Sequence, residues 1–87
     1  MAHVFRNDVI EWFVGADLAD ARAAAEDFYR NTVGEMPESY NENIEELRQE
    51  PDDKLLTMED DDGTKVSKTC AEWAATLRHG FLGTTEV

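Results

Sequence analysis

The spacing of apolar residues predicts a strand and then a long helix in the first third of the chain. Residues 9–14 are mostly β-branched and aromatic, which predicts a strand covered on both faces. Gly15 and Ala16 end this strand. From residue 18 to residue 33 apolar positions recur at helical spacing, with Asp17 as the N-cap and Gly34 as the residue that ends the helix.

A second, shorter helix is predicted in the middle of the chain. Ser39 followed by Glu42 is a capping-box pair, which marks a helix start. The helix is expected to run to about residue 49, because Pro51 cannot continue it. Its apolar stripe consists of Tyr40, Ile44 and Leu47.

Residues 54–60 and 64–68 predict a β-hairpin around the turn Asp61-Asp62-Gly63. A two-residue Asp-Gly turn would place Met58 opposite Ser67 and mix apolar with polar side chains on each face. A three-residue loop keeps an apolar pair inside and an ion pair outside, so we predict that register. Its cross-strand pairs are Met58 with Val66, Thr57 with Ser67 and Glu59 with Lys65.

The last third of the chain predicts a third helix and a docked tail. Thr69 and Glu72 form a capping box, and Gly80 is expected to end the helix. Its apolar face carries Cys70, Trp73, Ala74 and Leu77. The tail is expected to dock through Phe81 and Leu82, with a short final strand. The whole chain, residues 1–87, is thus predicted to be one α+β domain of order β-α-α-β-β-α, with a three-stranded antiparallel or mixed sheet packed by helices.

Size and composition agree with a small binding domain in the cytoplasm. Eighty-seven residues, 41% of them hydrophobic, suffice for one compact core. The single cysteine excludes an internal disulfide framework and favours a reducing compartment. Residues 1–6 lack the pattern of a signal peptide, and no apolar run approaches the ~20 residues of a membrane span. We therefore expect a cytoplasmic protein, in the host cytoplasm if it is phage-encoded.

Residues for catalysis or metal binding are few. Cys70 lies on an apolar stripe, where a buried thiol is expected, and His79 is placed to complement a helix C-terminus. An EF-hand loop with Gly63 in sixth place would need ligands at Met58 and Thr69, which cannot supply them. We predict a non-enzymatic protein without metal or cofactor. A small hydrolase with paired carboxylates is a third interpretation, which a pH titration would test.

The acidity of the chain is concentrated in one block. Twenty acids and eight Lys or Arg give a net charge of −12, and residues 35–62 alone carry twelve acids against Arg48 and Lys54. Such a field repels nucleic acid and anionic membranes and attracts basic partners. We therefore predict no direct nucleic-acid binding and a partner with a basic surface.

Within this block, Glu42, Glu46 and Glu50 are expected on one helix face at i,i+4 spacing. With Glu45 beside them, the carboxylates would recur about every 3–4 Å, close to the ~3.4 Å charge spacing along one DNA strand. The expected partner-binding residues are Glu42, Glu45, Glu46, Glu50, Asp52, Asp53, Asp60, Asp61 and Asp62, with Tyr40 or Met36 as an apolar anchor.

The short single domain, the clustered acids of residues 35–62 and the lack of a catalytic motif resemble, as a class, the small acidic inhibitors encoded by phages, including anti-CRISPR proteins and other DNA mimics. The resemblance implies an inhibitor that occupies a basic nucleic-acid-binding surface of a host or defence protein, such as a CRISPR effector. Three other interpretations stay open. The block could be a solvated face for solubility, or a halophile's acidic surface. The chain could also be a small cytosolic adaptor or assembly subunit that binds through its first strand or through Phe81 and Leu82.

Overall fold

A computed structural model of the chain describes residues 1–34, 38–59 and 62–84. These residues form an α+β domain, as predicted. The elements in chain order are β1 (His3–Arg6), β2 (Glu11–Gly15), α1 (Leu18–Val33), α2 (Glu38–Glu45), β3 (Arg48–Gln49), β4 (Leu55–Glu59), β5 (Lys65–Thr69), α3 (Cys70–Leu77) and β6 (Gly80–Thr84).

The strands form two antiparallel sheets, so the predicted single three-stranded sheet and its element order are wrong. Four strands pair in the order β3-β1-β2-β6, and β4 pairs only with β5. The expected first strand at residues 9–14 is in fact β2, and its first two residues belong to the turn that follows β1. Ile10 has a φ of 61°, which an extended strand cannot contain.

One face of the four-stranded sheet packs against α1 and α2. Phe13 is fully buried there, and its ring makes edge contacts with Phe28 and Tyr29 at centroid distances of 5.8 and 6.2 Å. Phe81 of β6 lies 5.4 Å from the Phe13 ring and stacks on Phe28 at 3.9 Å. The tail therefore docks into the core, as predicted, and does so as a strand.

The opposite face of the sheet packs against the β4–β5 hairpin and α3. Val4, Trp12 and Val14 point to this side and are joined there by buried residues of the hairpin and of α3. Trp73 fixes the hairpin to the helix by donating from Nε1 to the backbone oxygen of Leu56 at 2.8 Å. The fold is thus three layers with the four-stranded sheet in the centre.

Helix α1 has the predicted bounds and caps. Asp17 Oδ1 accepts from the backbone N of Asp20 at 2.9 Å, and the left-handed Gly34 donates its N–H to Arg30 O at 3.0 Å. The Glu26–Arg30 ion pair, at 2.6 Å, lies on its surface. Both caps depend on residues at the helix ends, so they can be predicted from the sequence alone.

The hairpin register and the start of α3 are also confirmed. Met58 pairs with Val66, Thr57 with Ser67 and Glu59 with Lys65. Thr69 and Glu72 form both bonds of the capping box. The end of α3 differs from the prediction, because Arg78 adopts a positive φ of 67° after Leu77 and Gly80 already begins β6.

The second helix is shorter than predicted. It begins at Glu38, so Ser39 lies inside it instead of capping it, and it ends at Glu45. Leu47 N bonds to Ile44 O at 3.3 Å, which tightens the chain into a turn, and Arg48 and Gln49 then pair with β1. Ile44 and Leu47 are buried in the core as predicted, and the side chain of Tyr40 lies outside the described part of the chain.

Among the helices described here, none has the length and apolar character needed to cross a membrane.

Candidate interaction surface

The acidic block does not form one continuous helix face. Glu42 and Glu45 are exposed on α2, which covers one side of the four-stranded sheet. Asp53, Glu59 and Asp62 are exposed in the loop before β4 and in the β4–β5 hairpin, which covers the other side. The chain passes from one side to the other through β3, the edge strand beside β1. The expected binding residues are therefore divided between two faces.

Glu50 is a correction to the predicted binding face. It lies five residues beyond the end of α2 and is only 8% exposed. Its Oε2 is 3.2 Å from Lys54 Nζ, and its Oε1 is 3.0 Å from Arg6 Nε, an ion-pair distance without the alignment of a hydrogen bond. Glu50 is therefore part of the internal structure, and its charge is already matched.

Asp52 is also used internally. Its Oδ1 lies 2.9 Å from His3 Nδ1, and its backbone oxygen accepts from Ala71 N at 3.0 Å, at the start of α3. Asp53, next to it, is exposed and has no ion-pair partner among the described residues. Of this pair, only Asp53 presents a carboxylate that a partner could fully engage.

The acidic residues near the turn of the β4–β5 hairpin have different surroundings. Asp62 Oδ1 accepts from Thr64 N at 3.0 Å, and this bond lowers the pKa of the Asp62 carboxyl. Glu59 faces Lys65 across the strands, but the expected ion pair between them does not form in the described structure. Asp60 and Asp61 lie outside the described residues, as does Met36. Within the described part of the hairpin, the exposed carboxylates are those of Glu59 and Asp62.

The end of α2 meets the turn between β1 and β2. The backbone N of Asp8 donates to Glu46 Oε1 at 3.3 Å, and Arg48 donates to Asp8 Oδ1 at 2.5 Å. Glu46 in turn donates its backbone N to Glu42 O at 2.9 Å. Glu42, Glu46 and the turn are thus assembled at one edge of the domain, where β3 lies beside β1.

A buried polar network under this turn was not predicted from the sequence. Asn7 is fully buried; its Nδ2 donates to Glu11 Oε1 at 2.9 Å and to the Tyr29 hydroxyl at 3.4 Å. The Tyr29 hydroxyl also donates to Glu11 Oε1. The available signal was Asn7-Asp8, a turn-forming pair between two apolar runs, which is typical of a hairpin.

Because of this network, we expect the folded domain to lose stability at alkaline pH. Burial, then the hydrogen bond to Glu11 and its charge, raise the pKa of Tyr29 above its ordinary value of 10.0. Above that value the phenol ionises in the unfolded chain while it stays protonated in the folded domain. The folded state then binds more protons, so the free energy of unfolding falls as the pH rises. Urea unfolding from neutral to strongly alkaline pH measures this effect.

Tyr29→Phe is expected to flatten that alkaline decline. Cys70 also has a raised pKa, mainly because it is buried. Both chains are therefore compared in a Cys70→Ala background. An equally steep decline with Phe at position 29 would assign the pH dependence to other groups.

Cys70 and His79 were the side chains considered for catalysis. Cys70 is a buried free thiol, as predicted, and His79 Nδ1 lies 3.2 Å from Asp20 Oδ2 in a surface pair. Within residues 1–34, 38–59 and 62–84, no group of three or more His, Cys, Asp or Glu could hold a metal ion. A solvent-open depression of about 470 Å³ is lined by Met1, Ala2, Ala16, Ala74, Ala75 and Arg78, a mostly apolar set with one cation.

Most of the apolar side chains expected to serve an adaptor pack into the core. Trp12, Phe13 and Val14 of β2 are all buried, so both faces of this strand are covered. Phe81 packs against one core cluster and Leu82 against the other, on opposite sides of the sheet. Of the predicted first strand, only Val9 and Ile10, in the turn before β2, remain exposed as apolar side chains.

In comparisons with known proteins, the chain matched no protein-family model, no curated protein and no solved structure.

Proposed function

We propose that the chain is a non-enzymatic acidic binding protein that occupies a basic, nucleic-acid-binding surface of another protein. The exposed carboxylates of α2 carry this role on one side of the sheet, and those of the segment from Asp53 to the β4–β5 hairpin add to the negative field from the other side. Glu50 and Asp52 are removed from the binding set, because their charges face Arg6, Lys54 and His3. The proposed partner class includes effectors of host or phage defence, such as CRISPR nucleases.

The observation that supports the proposal is the unequal pairing of acids and bases. Four cations, Arg6, Arg30, Arg48 and Lys54, already lie in ion pairs within the domain. Lys68 lies 4.8 Å above the Trp73 ring, and Arg22 donates to the backbone oxygen of Glu45. The bases are thus largely engaged, and the excess charge remains on exposed carboxylates.

Among the residues that the structure describes, the exposed carboxylates without a cation partner include Glu42, Glu45, Asp53 and Glu59. A local excess of negative charge steers a basic surface towards it and raises the association rate. This faster association does not require a catalytic group. Inhibition would follow from occupation of the surface that the nucleic acid needs.

Charge reversal at α2 tests the proposal. Glu42→Lys with Glu45→Lys is expected to weaken partner binding about tenfold while leaving the melting temperature unchanged, because both side chains are exposed. The partner is first captured from host extract and then purified. Its affinity is measured in low and high salt, together with its release by competing duplex DNA.

The matched control is Asp27→Lys, which makes the same change at an exposed carboxylate of α1. Its affinity should stay within about twofold of wild type, because Asp27 is not among the carboxylates of the proposed binding surface and surface charges are screened over ~10 Å at 0.1 M salt. A partner that binds the doubly reversed chain as tightly as wild type, or that holds duplex DNA simultaneously, would refute the proposal.

A further inference from the structure

The turn between β1 and β2 carries an apolar pair that the core does not use. We propose that Val9 and Ile10 form an anchor that enters an apolar pocket within the basic surface of the partner protein. This inference rests on the proposed function and specifies the partner further: the pocket must be bordered by Lys or Arg. An apolar anchor beside matched charges is a common basis for affinity in protein interfaces.

The two side chains are adjacent and exposed. Val9 is 55% exposed and Ile10 is 43% exposed, although both are large and β-branched. Single exposed apolar residues are ordinary on protein surfaces, but this pair projects from one tight turn. The turn joins the two central strands of the sheet, so its position is fixed by the core.

Ile10 also holds an unfavourable backbone conformation. Its φ of 61° lies in the left-handed region, which β-branched residues rarely adopt. Glycine would remove the strain, yet the chain has isoleucine there. Strain of this kind persists where the surroundings enforce it and is concentrated at functional positions.

Hydrogen bonds hold the turn in place before any partner binds. Asn7 Oδ1 accepts from Glu11 N at 2.9 Å, and Asn7 O accepts from Ile10 N at 3.3 Å. Asn7 N also donates to Glu11 O at 3.2 Å. A turn fixed in this way loses little conformational entropy on binding.

The charges around the turn determine which kind of partner can bind there. Glu46 Oε1 accepts from the backbone N of Asp8, and Glu42 precedes it by one helical turn. Arg48 pairs with Asp8 of the turn, so the unmatched charges that border the anchor are the carboxylates of Glu42 and Glu46 on the α2 side. A pocket that receives it must bring cations to that border, which a basic protein surface does and an anionic membrane does not.

Two synthetic helical peptides of equal length and charge provide a defined probe. One contains lysine and leucine, and the other contains lysine and serine. At low ionic strength the leucine peptide should bind at least about fivefold more tightly, because it buries the two side chains. Amide NMR signals of residues 8–10 and 42–46 should shift on titration.

Three variants assign the preference to the anchor. Ile10→Gly should abolish the preference for the leucine peptide and raise the melting temperature, since glycine adopts positive φ without strain. Val9→Ser, at an exposed position with ordinary backbone, should reduce the preference without affecting the fold. Leu55→Ser is the control: Leu55 is 64% exposed on β4, and its loss should leave the preference unchanged.

The outcomes separate the anchor from the proposed function. Equal binding of both peptides, with shifts confined to residues 42–46, would overturn the anchor and leave the acidic surface in place. A leucine preference that survives both Ile10→Gly and Val9→Ser would also overturn it. Failure of the serine peptide to bind the wild-type chain at all would count against the proposed function itself.

Discussion

Gly15→Ala is expected to destabilise the domain by about 3 kcal/mol, a large part of the stability of a chain of this size. A Cβ at Gly15 would lie 2.5 Å from the backbone N of Ala21 and 2.9 Å from its Cα. These atoms belong to the first turn of α1, which is capped by Asp17 and packed on β2. Neither the strand nor the helix can shift without disturbing the core between them.

Gly83→Ala is the matched control for this prediction. A Cβ there would meet only the terminal methyl of Met58, the end of a flexible side chain that can rotate away. Its cost should stay below about 1 kcal/mol. Guanidinium unfolding of both variants gives the comparison, and equal losses would mean that the approach of α1 to β2 does not depend on glycine.

The features predicted correctly are those that a few neighbouring residues decide. The caps of α1, the capping box of α3 and the register of the β4–β5 hairpin each depend on residues within about ten positions of one another. In the hairpin, the requirement that Met58 and Val66 share the inner face was enough to reject the shorter turn. At these positions the structure favoured by neighbouring residues is also the one that the whole fold requires.

The features that were missed depend on pairing between distant parts of the chain. Strand β3 has only two residues, Arg48 and Gln49, and both are exposed. It exists because β1 offers an unpaired edge, with Phe5 opposite Gln49 and Arg6 opposite Arg48. No periodic pattern marks such a strand, so helical spacing was extended through it to residue 49.

This extension also explains the error in the binding face. Glu42, Glu46 and Glu50 follow one another at i,i+4, and a helix through all three would align their carboxylates. The turn at residues 46 and 47 breaks that alignment and directs Glu50 inwards. Glu50 is therefore a buried structural carboxylate, whereas Glu42 and Glu46 remain at the edge of the domain. Their spacing in the sequence does not reveal this difference in burial.

Glu50→Ala is therefore expected to cost about 2 kcal/mol of unfolding free energy. The change removes a carboxylate that lies 3.0 Å from Arg6 Nε and 3.2 Å from Lys54 Nζ. Arg6 and Lys54 would keep their charges without a counter-ion. Both are partly exposed, so water compensates in part, and the loss stays below that of a fully buried pair.

Glu42→Ala is the control, because it deletes the same group from an exposed position of α2 that has no cation partner in the described structure. Its effect should stay within about 0.5 kcal/mol. Glu50→Gln, which keeps the shape and loses the charge, should fall between the two. Urea unfolding at neutral pH ranks the three variants, and a Glu50→Ala loss no larger than that of Glu42→Ala would return Glu50 to the exposed acidic surface.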